Sequence, residues 1–168
     1  MSAVRSEPAP RYGGASTMRV LTVDLLDAVL AIEVQAYVFP WTRGNFIDSI
    51  AAGYLTRALL AADGELIGYF VAMPGFEEMH LLNITVAAAH EGRGHARAML
   101  ASLYELCEPY GASALWLEVR ESNARARALY LREGFDEAGR RRDYYPAPQG
   151  RREDAVLMTR LLASGDGA

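Results

Sequence analysis

The fold prediction starts from residues 86–100, Val-Ala-Ala-Ala-His-Glu-Gly-Arg-Gly-His-Ala-Arg-Ala-Met-Leu. An apolar strand pattern ends near Val86, a glycine-containing loop follows, and an amphipathic helix begins at His95. A helix N-terminus carries free backbone N–H groups and a partial positive charge, which suit a pyrophosphate. Small residues let phosphates reach the main chain, and arginines add charge-assisted contacts. The residues with these properties are Gly92, Arg93, Gly94, Ala96 and Arg97.

This loop pattern has a second interpretation. A strand-to-helix turn rich in glycine is often only a tight connection that binds nothing. The loop is neither a P-loop, which needs Gly-Lys-Ser/Thr, nor a dinucleotide fingerprint. On its own, the segment therefore predicts a local strand-loop-helix structure and leaves its ligand open.

On either side of this segment the chain alternates strand and helix patterns. The predicted strands are Met18–Thr22, Leu55–Ala62, Glu65–Met73, Met79–Ala87, Ala114–Val119, Phe135–Arg142 and Asp154–Leu161. The predicted helices are Asp24–Tyr37, Thr42–Ala52, His95–Glu108 and one that Ser122 or Asn123 caps and Gly134 ends. This β-α-α-β-β-β-α-β-α-β-β order predicts an α/β (α+β) domain with a mixed central sheet of about six to seven strands and about four helices.

Apolar spacing predicts which face of each helix meets the core. The predicted inner residues are Leu26, Leu30, Val34 and Tyr37 in the first helix, Met99, Leu103 and Leu106 in the third, and Ala124, Ala128 and Leu131 in the fourth. Asp63-Gly64 is a hairpin-turn signal between two apolar runs. A second hairpin, joined around Pro146–Gly150, is expected at the end of the chain.

Length and composition bound the class of protein. The chain has 168 residues, 51% apolar and 23% charged, as expected for one globular domain. We expect a tail over residues 1–17, the domain over 18–162 and a second tail over 163–168. No apolar stretch approaches the roughly 20 residues of a membrane span, and no signal core precedes the domain. We therefore expect a cytoplasmic protein that does not bind membranes, a monomer rather than an oligomer.

Charge and histidine spacing argue against two other kinds of site. The formal charge of −4 argues against general nucleic-acid binding, because phosphate contacts need excess positive charge. His80, His90 and His95 lack the spacing of zinc ligands, so no metal is expected. Cys107 is the single cysteine, so the chain has no internal disulfide, and its side chain is expected to pack in the core.

The loop and the segments around it resemble the GNAT acetyltransferase superfamily. That family's pyrophosphate signature is Gln/Arg-x-x-Gly-x-Gly/Ala, and Arg93-Gly94-His95-Ala96 matches its second half, whereas Glu91 departs from its first position. Further segments resemble the branch that acetylates the N-terminal alanine of a ribosomal protein. They include Phe39-Pro40-Trp41-Thr42, Leu82–Val86, Leu115–Arg120, Ser122-Asn123, Ala128–Tyr130, Glu133–Phe135, Arg141–Pro146 and Arg152–Ala155. The resemblance spans about Met18 to Leu162 and implies a sheet splayed between its fourth and fifth strands.

The resemblance also implies roles for individual residues. Glu118, in an otherwise apolar strand, is implied to be the general base, and Tyr130 the general acid that protonates the departing thiolate. From the residues alone, Glu118 is equally a carboxylate paired with Arg120, and Tyr130 an ordinary core aromatic. The implied acetyl-CoA-binding residues are Ile84, Thr85, Val86, Glu91, Gly92, Arg93, Gly94, His95, Ala96 and Asn123. Asn123 is also interpretable as a helix N-cap.

The acceptor-binding residues follow from the same resemblance. Phe39 and Trp41 are implied to form one wall of a peptide cleft, and Tyr144 and Tyr145 the other. The alternative for Arg140–Arg142 and the two tyrosines is a solvated strand end. The leading hypothesis is therefore acetyl transfer to an N-terminal alanine of a ribosomal protein, without a metal. The alternatives are acetylation of a small amine or another protein end, and a non-catalytic acetyl-CoA-binding module.

Overall fold

The computed structural model describes residues 16–163, so most of the two predicted tails lies outside the described residues. The strands are β1 Thr17–Val20, β2 Leu55–Leu60, β3 Leu66–Gly75, β4 Glu78–Val86, β5 Ala114–Arg120, β6 Asp136–Pro146 and β7 Arg152–Leu161. The helices are α1 Leu26–Ala36, α2 Arg43–Ala51, α3 His95–Cys107 and α4 Ala124–Arg132. Within residues 16–163, none of the helices is long and apolar enough to cross a membrane.

The seven strands form one sheet in the order β1-β2-β3-β4-β5-β7-β6. Every neighbouring pair is antiparallel except β4 and β5, which are parallel. Parallel neighbours need a crossover connection, and α3 supplies it. The prediction of a mixed sheet flanked by about four helices is thus confirmed.

The sheet opens between β4 and β5. Their pairing covers only Glu78–Leu81 against Ala114–Leu117, although β4 continues to Val86 and β5 to Arg120. Beside the opening, β4 contains a bulge: Leu81 pairs with Ala72 and Asn83 with Val71, so Leu82 is the extra residue. A bulge bends its strand and locally increases its twist. The splay that the family resemblance implied is therefore present, and it begins where β4 bends.

Two apolar clusters cover opposite faces of the sheet. One lies beneath α3 and α4 and includes Met99, Leu103 and Leu117. The other lies beneath α1 and α2 and includes Val29 and Phe46. The two faces place helices on both sides of the opening between β4 and β5.

The predicted inner face of α1 is confirmed at Leu26, and Leu30 packs against the core, but the prediction of Val34 was wrong. Val34 is 60% exposed, whereas the buried residues of this helix are Leu26, Val29 and Glu33. A 3-10 turn at Val23–Leu25 precedes the helix. The buried positions are spaced by three and four residues, but the one at the end of the series is a glutamate, which an apolar pattern cannot identify.

The predicted inner face of α4 was also wrong. Leu131 is 53% exposed, and Ala124 is exposed too. The helix instead buries Tyr130, with Ala126 and Leu129 packed against the core. Ala126, Leu129 and Tyr130 are spaced by three and four residues, so this nine-residue helix has an apolar stripe, and the prediction placed it on the wrong face.

Candidate active site

A cavity of about 350 Å³ occupies the opening between β4 and β5. It brings together seven of the predicted site residues, namely Phe39, Trp41, Ile84, Glu118, Asn123, Tyr130 and Tyr145. They come from the α1–α2 connection, both splayed strands, α4 and β6. The cavity wall excludes Thr85, Val86, Tyr144 and the loop over residues 91–96.

Glu118 is the residue of β5 that follows the last pair with β4. Its side chain is only 8% exposed. Its Oε1 lies 3.9 Å from His80 Nε2, and its Oε2 lies 3.5 Å from Arg141 Nε. Oε2 is buried and accepts no hydrogen bond from the residues described. Glu118 is thus a buried carboxylate with an unused acceptor oxygen at the cavity wall.

The alternative that Glu118 pairs with Arg120 does not describe this structure. Arg120 Nη1 instead donates to Glu153 Oε1 at 2.8 Å. His80 stacks on Trp116 with a ring separation of 3.6 Å. Burial, followed by the charge of Arg141, lowers the pKa of His80 to about 4, so the imidazole beside Glu118 is neutral at pH 7.

Tyr130 combines burial with access to the cavity. It lies in the last turns of α4, packs against Phe135 at a ring separation of 5.5 Å, and lines the cavity. Burial is the largest cause that raises its pKa above the ordinary value, and Tyr37, Tyr145 and Tyr104 add to the shift. The phenol is therefore held in its protonated form.

The glycine loop lies beyond the cavity, at the start of α3. Gly92 and Gly94 have φ angles of 76° and 80°, and Gly94 is the residue before the first turn of the helix. A Cβ atom at either position would meet no atom within 4 Å. The loop thus exposes its backbone, and these features fit a bound diphosphate.

Glu91, which departs from the family signature, forms an ion pair in the structure. Glu91 Oε2 lies 3.1 Å from Nη1 of Arg125, in the first turn of α4. Next to Arg125 in that turn, Asn123 caps the helix, since its Oδ1 accepts from the backbone N–H of Ala126 at 3.2 Å. Asn123 also lines the cavity, so the N-cap and cofactor interpretations are compatible.

The backbone of β4 offers hydrogen-bond donors to the opening. The N–H of Ala87 donates to Ile67 of β3 at 2.8 Å. Because N–H directions alternate along a strand, those of Ile84 and Val86 point away from β3. The carbonyl of Ile84 accepts from the Tyr37 hydroxyl at 3.2 Å rather than from β3, which agrees with this direction.

One wall of the cavity is built around a guanidinium group. Arg120 lies 4.6 Å from the ring centre of Tyr145 and 5.4 Å from that of Phe39. Its Nη1 also donates to the carbonyl of Pro146 at 2.8 Å. The predicted strand ended at Arg142, whereas β6 continues to Pro146 and includes Tyr144 and Tyr145. Tyr144 lies outside the cavity wall, whereas Tyr145 forms part of it.

Four polar residues of the cavity wall were not among the predicted site residues: Glu33, Tyr37, Asn83 and Arg120. Glu33 is only 1% exposed, although a charged side chain on a helix normally faces solvent. Asn83 and Thr85 face α1 because the bulge at Leu82 shifts the alternation of β4. A hydrophobic-pattern search carries no signal for any of these contacts.

The remaining candidates have no part in this cavity. Cys107 is a free and buried thiol, which confirms its predicted packing role. Burial raises the pKa of this thiol to about 11. Within residues 16–163, no group of three or more His, Cys, Asp or Glu side chains is arranged to hold a metal ion.

Comparison with known proteins places this site in context. Residues 26–135 match the acetyltransferase (GNAT) family. The chain is 39% identical over 143 residues to the [ribosomal protein bS18]-alanine N-acetyltransferase of Salmonella typhimurium, covering 85% of this chain and 95% of the relative. The enzyme of the same name from Escherichia coli K12 is 38% identical, with the same coverage.

A solved structure agrees with this result. The crystal structure of the ribosomal-protein-S18-alanine N-acetyltransferase from Escherichia coli superposes with a TM-score of 0.81 and 36% identity, covering 91% of this chain and 98% of that chain. The family match over residues 26–135 includes both splayed strands, the glycine loop and α4. The chain therefore belongs to the GNAT family and is an acetyltransferase.

Proposed function

We propose that this enzyme transfers the acetyl group of acetyl-CoA to the α-amine of an N-terminal alanine, and that its acceptor is ribosomal protein bS18. The single observation that carries the proposal is the cavity in the splay, where a protonated phenol and a buried carboxylate with one oxygen that accepts no hydrogen bond line the same space. The names of relatives that are 38–39% identical over 85% of the chain support the acceptor.

Acetyl-CoA, which the GNAT family uses, is proposed to bind along the second half of β4. Its diphosphate would contact the backbone of residues 91–96, where the glycines leave the main chain open. Its thioester would lie in the splay, with the carbonyl oxygen facing the N–H groups of Ile84 and Val86. Asn123 would contact the cofactor from the start of α4.

The proposed reaction is a direct transfer. Glu118 accepts a proton from the acceptor's α-ammonium, whose ordinary pKa of about 8 is below the roughly 10.4 of a lysine ammonium, so this proton costs less to remove than that of a lysine. The neutral amine then attacks the thioester carbon, forming the C–N bond while the carbonyl oxygen gains negative charge near backbone N–H groups. The carbonyl re-forms as the C–S bond breaks, and the CoA thiolate takes its proton from the Tyr130 hydroxyl. The second proton that the nitrogen loses on becoming an amide restores the phenol.

The acceptor cleft is proposed to lie between the α1–α2 connection and β6. Phe39, Trp41 and Tyr145 provide apolar and aromatic surfaces, and Arg120 joins Phe39 to Tyr145. Tyr144 would contact the acceptor only outside the cavity. These aromatic surfaces suit a peptide end with a small apolar first side chain better than they suit a polar sugar amine.

A panel of amines tests the acceptor. The purified enzyme and acetyl-CoA are incubated with the N-terminal hexapeptide of bS18, its Met-led and N-acetylated forms, spermidine and an aminoglycoside. We expect the Ala-led peptide to give the highest kcat/KM and the N-acetylated form to give none. Equal or higher kcat/KM for a polyamine or aminoglycoside would reject the protein acceptor. All 17 residues counted as Lys or Arg are arginines, so acetyl-lysine formed on the enzyme itself cannot confuse the measurement.

A further inference from the structure

Glu33 is an acidic residue buried between α1 and the sheet, and it lines the acceptor side of the cavity. Its Oε1 accepts from the Tyr69 hydroxyl at 2.6 Å and from Asn83 Nδ2 at 3.1 Å. Its Oε2 accepts from the backbone N–H of Trp41 at 2.8 Å. The carboxylate therefore connects α1 to β3, to β4 and to the α1–α2 connection.

These three partners are neutral groups, so no hydrogen-bonded cation within the described chain compensates the charge of Glu33. Burying a carboxylate without a charged partner is costly, and three hydrogen bonds offset that cost here. An apolar side chain at this position would leave the Tyr69 hydroxyl, the Asn83 amide and the Trp41 N–H without this acceptor. The carboxylate is thus the common acceptor that fixes the relative positions of these three groups.

The hydrogen bonds continue from Glu33 to the splayed part of β4. Oδ1 of Asn83 accepts from the Thr85 hydroxyl at 2.8 Å. The Thr85 oxygen lies 2.6 Å from the Tyr37 hydroxyl, which also reaches the carbonyl of Ile84. The carboxylate thus holds the Trp41 wall by a direct hydrogen bond, whereas it reaches Ile84, beside which the acetyl group would lie, only through the side chains of Asn83, Thr85 and Tyr37.

The hydrogen bond from Trp41 links Glu33 to the acceptor side of the cavity. Trp41 follows Pro40, where α1 has ended and α2 has not begun, so no helical hydrogen bond holds its N–H. Phe39 and Trp41 both line the cavity from this connection. Glu33 supplies the acceptor that holds the connection against the sheet.

We propose that Glu33 is a positioning residue for the acceptor: its carboxylate fixes the Phe39–Trp41 segment and so sets the affinity for the acceptor amine, without contributing to acetyl-CoA binding. The proposal rests on the acetyl-transfer activity described above. It adds a residue that neither receives the proton nor contacts the thioester.

The test is Glu33→Gln, because a carboxamide keeps the shape but replaces one acceptor oxygen with an NH₂ donor. We expect the KM of the acceptor to rise about tenfold, with kcat and the KM of acetyl-CoA within about twofold, as for an interaction made equally in the ground and transition states. Calorimetric titration of the same acceptor into the CoA-bound enzyme should show a matching loss of affinity without turnover.

A matched control separates positioning from general destabilisation. Thr56→Val removes a buried hydrogen bond to the Leu21 carbonyl, and Thr56 neither lines the cavity nor bonds to Glu33. It should lower Tm without changing either KM. If Glu33→Gln behaves like Thr56→Val, or raises both KM values together, the proposal is wrong.

A second variant tests the proposal if Glu33→Gln does not fold. Tyr69→Phe removes one donor to the carboxylate and should raise the acceptor KM about threefold; an unchanged acceptor KM would overturn the proposal. The acceptor used is the best substrate of the amine panel, whatever its identity. Rejection of the Ala-led peptide therefore counts against the proposed function alone.

Discussion

The proposed site has an acceptor half and a cofactor half, and the two differ in the groups that they offer a ligand. The acceptor half, around Glu33, Trp41, Arg120 and Tyr145, consists of side chains held by hydrogen bonds and ring contacts. The cofactor half, over residues 84–96, offers mainly backbone: the splayed edge of β4 and a loop with two glycines at positive φ. A backbone site depends on conformation and tolerates changes of side chain, whereas a side-chain site does not. This difference explains how a carboxylate at Glu91 is compatible with a family loop that usually has Gln or Arg there.

The largest expected effect lies where the two halves meet. Glu118→Gln and Tyr130→Phe should each lower kcat by about 10²-fold, the scale of a lost proton transfer, with little change in acetyl-CoA affinity. Steady-state kinetics with the best acceptor measures kcat, and titration with CoA measures affinity. Unchanged turnover in both variants would remove the assigned roles, and equal losses of cofactor affinity would place the residues in the cofactor half.

A change of backbone conformation should break the cofactor half alone. Gly94→Val places a β-branched residue at a φ of 80°, where the strain is of the order of 1–2 kcal/mol although the added atoms meet open space. We expect a rise of about tenfold in the KM of acetyl-CoA and an unchanged acceptor KM. Gly111→Val is the control, since Gly111 has a φ of 66° and equally open surroundings after α3. It should lower Tm but leave both KM values unchanged.

A change of side chain in the same loop should have a much smaller effect. Glu91→Gln removes a negative charge near the proposed diphosphate, but that charge is already paired with Arg125 and half-exposed. We expect the KM of acetyl-CoA to fall by about twofold to threefold at low salt and the difference to vanish at high salt. Arg125→Gln should shift the KM in the opposite direction. A loss of affinity in Glu91→Gln would mean that the carboxylate itself contributes to binding.

The smallest expected effect concerns alkaline pH. Burial raises the pKa of Tyr130 above its ordinary value of about 10, so its proton stays bound as pH rises through the range in which the acceptor amine becomes neutral. We expect kcat/KM to stay within about twofold between about pH 8 and about pH 9.5. A marked fall in this interval, absent from Tyr130→Phe, would show that Tyr130 titrates early.

The sequence predicted the local structure of residues 84–96 better than the side-chain contacts around Glu33, for a physical reason. The glycine loop, its strand and its helix are contiguous, so local spacing describes them completely. Glu118 was identifiable because it interrupts an apolar strand. The family resemblance, rather than any local pattern, singled out Tyr130.

The contacts of Glu33 could not be predicted in this way. Its three donors lie 8, 36 and 50 residues along the chain, and they meet only when α1 packs on β3 and β4. The bulge at Leu82 adds to the difficulty, because one extra residue reverses which face Asn83 and Thr85 occupy. Helix faces failed similarly, since Val34 and Leu131 are apolar yet exposed.

The splay has a consequence for how this enzyme responds to its substrate. Beyond Leu81 and Leu117, each of the two central strands has a neighbour on one side only, so the middle of the sheet contains two additional edges. A ligand with amide groups in the opening would supply the missing neighbour, so that binding and completion of the sheet become one event. Amide hydrogens at Ile84 and Val86 would then exchange slowly only with ligand bound, and the melting temperature would rise with the acetyl-CoA concentration.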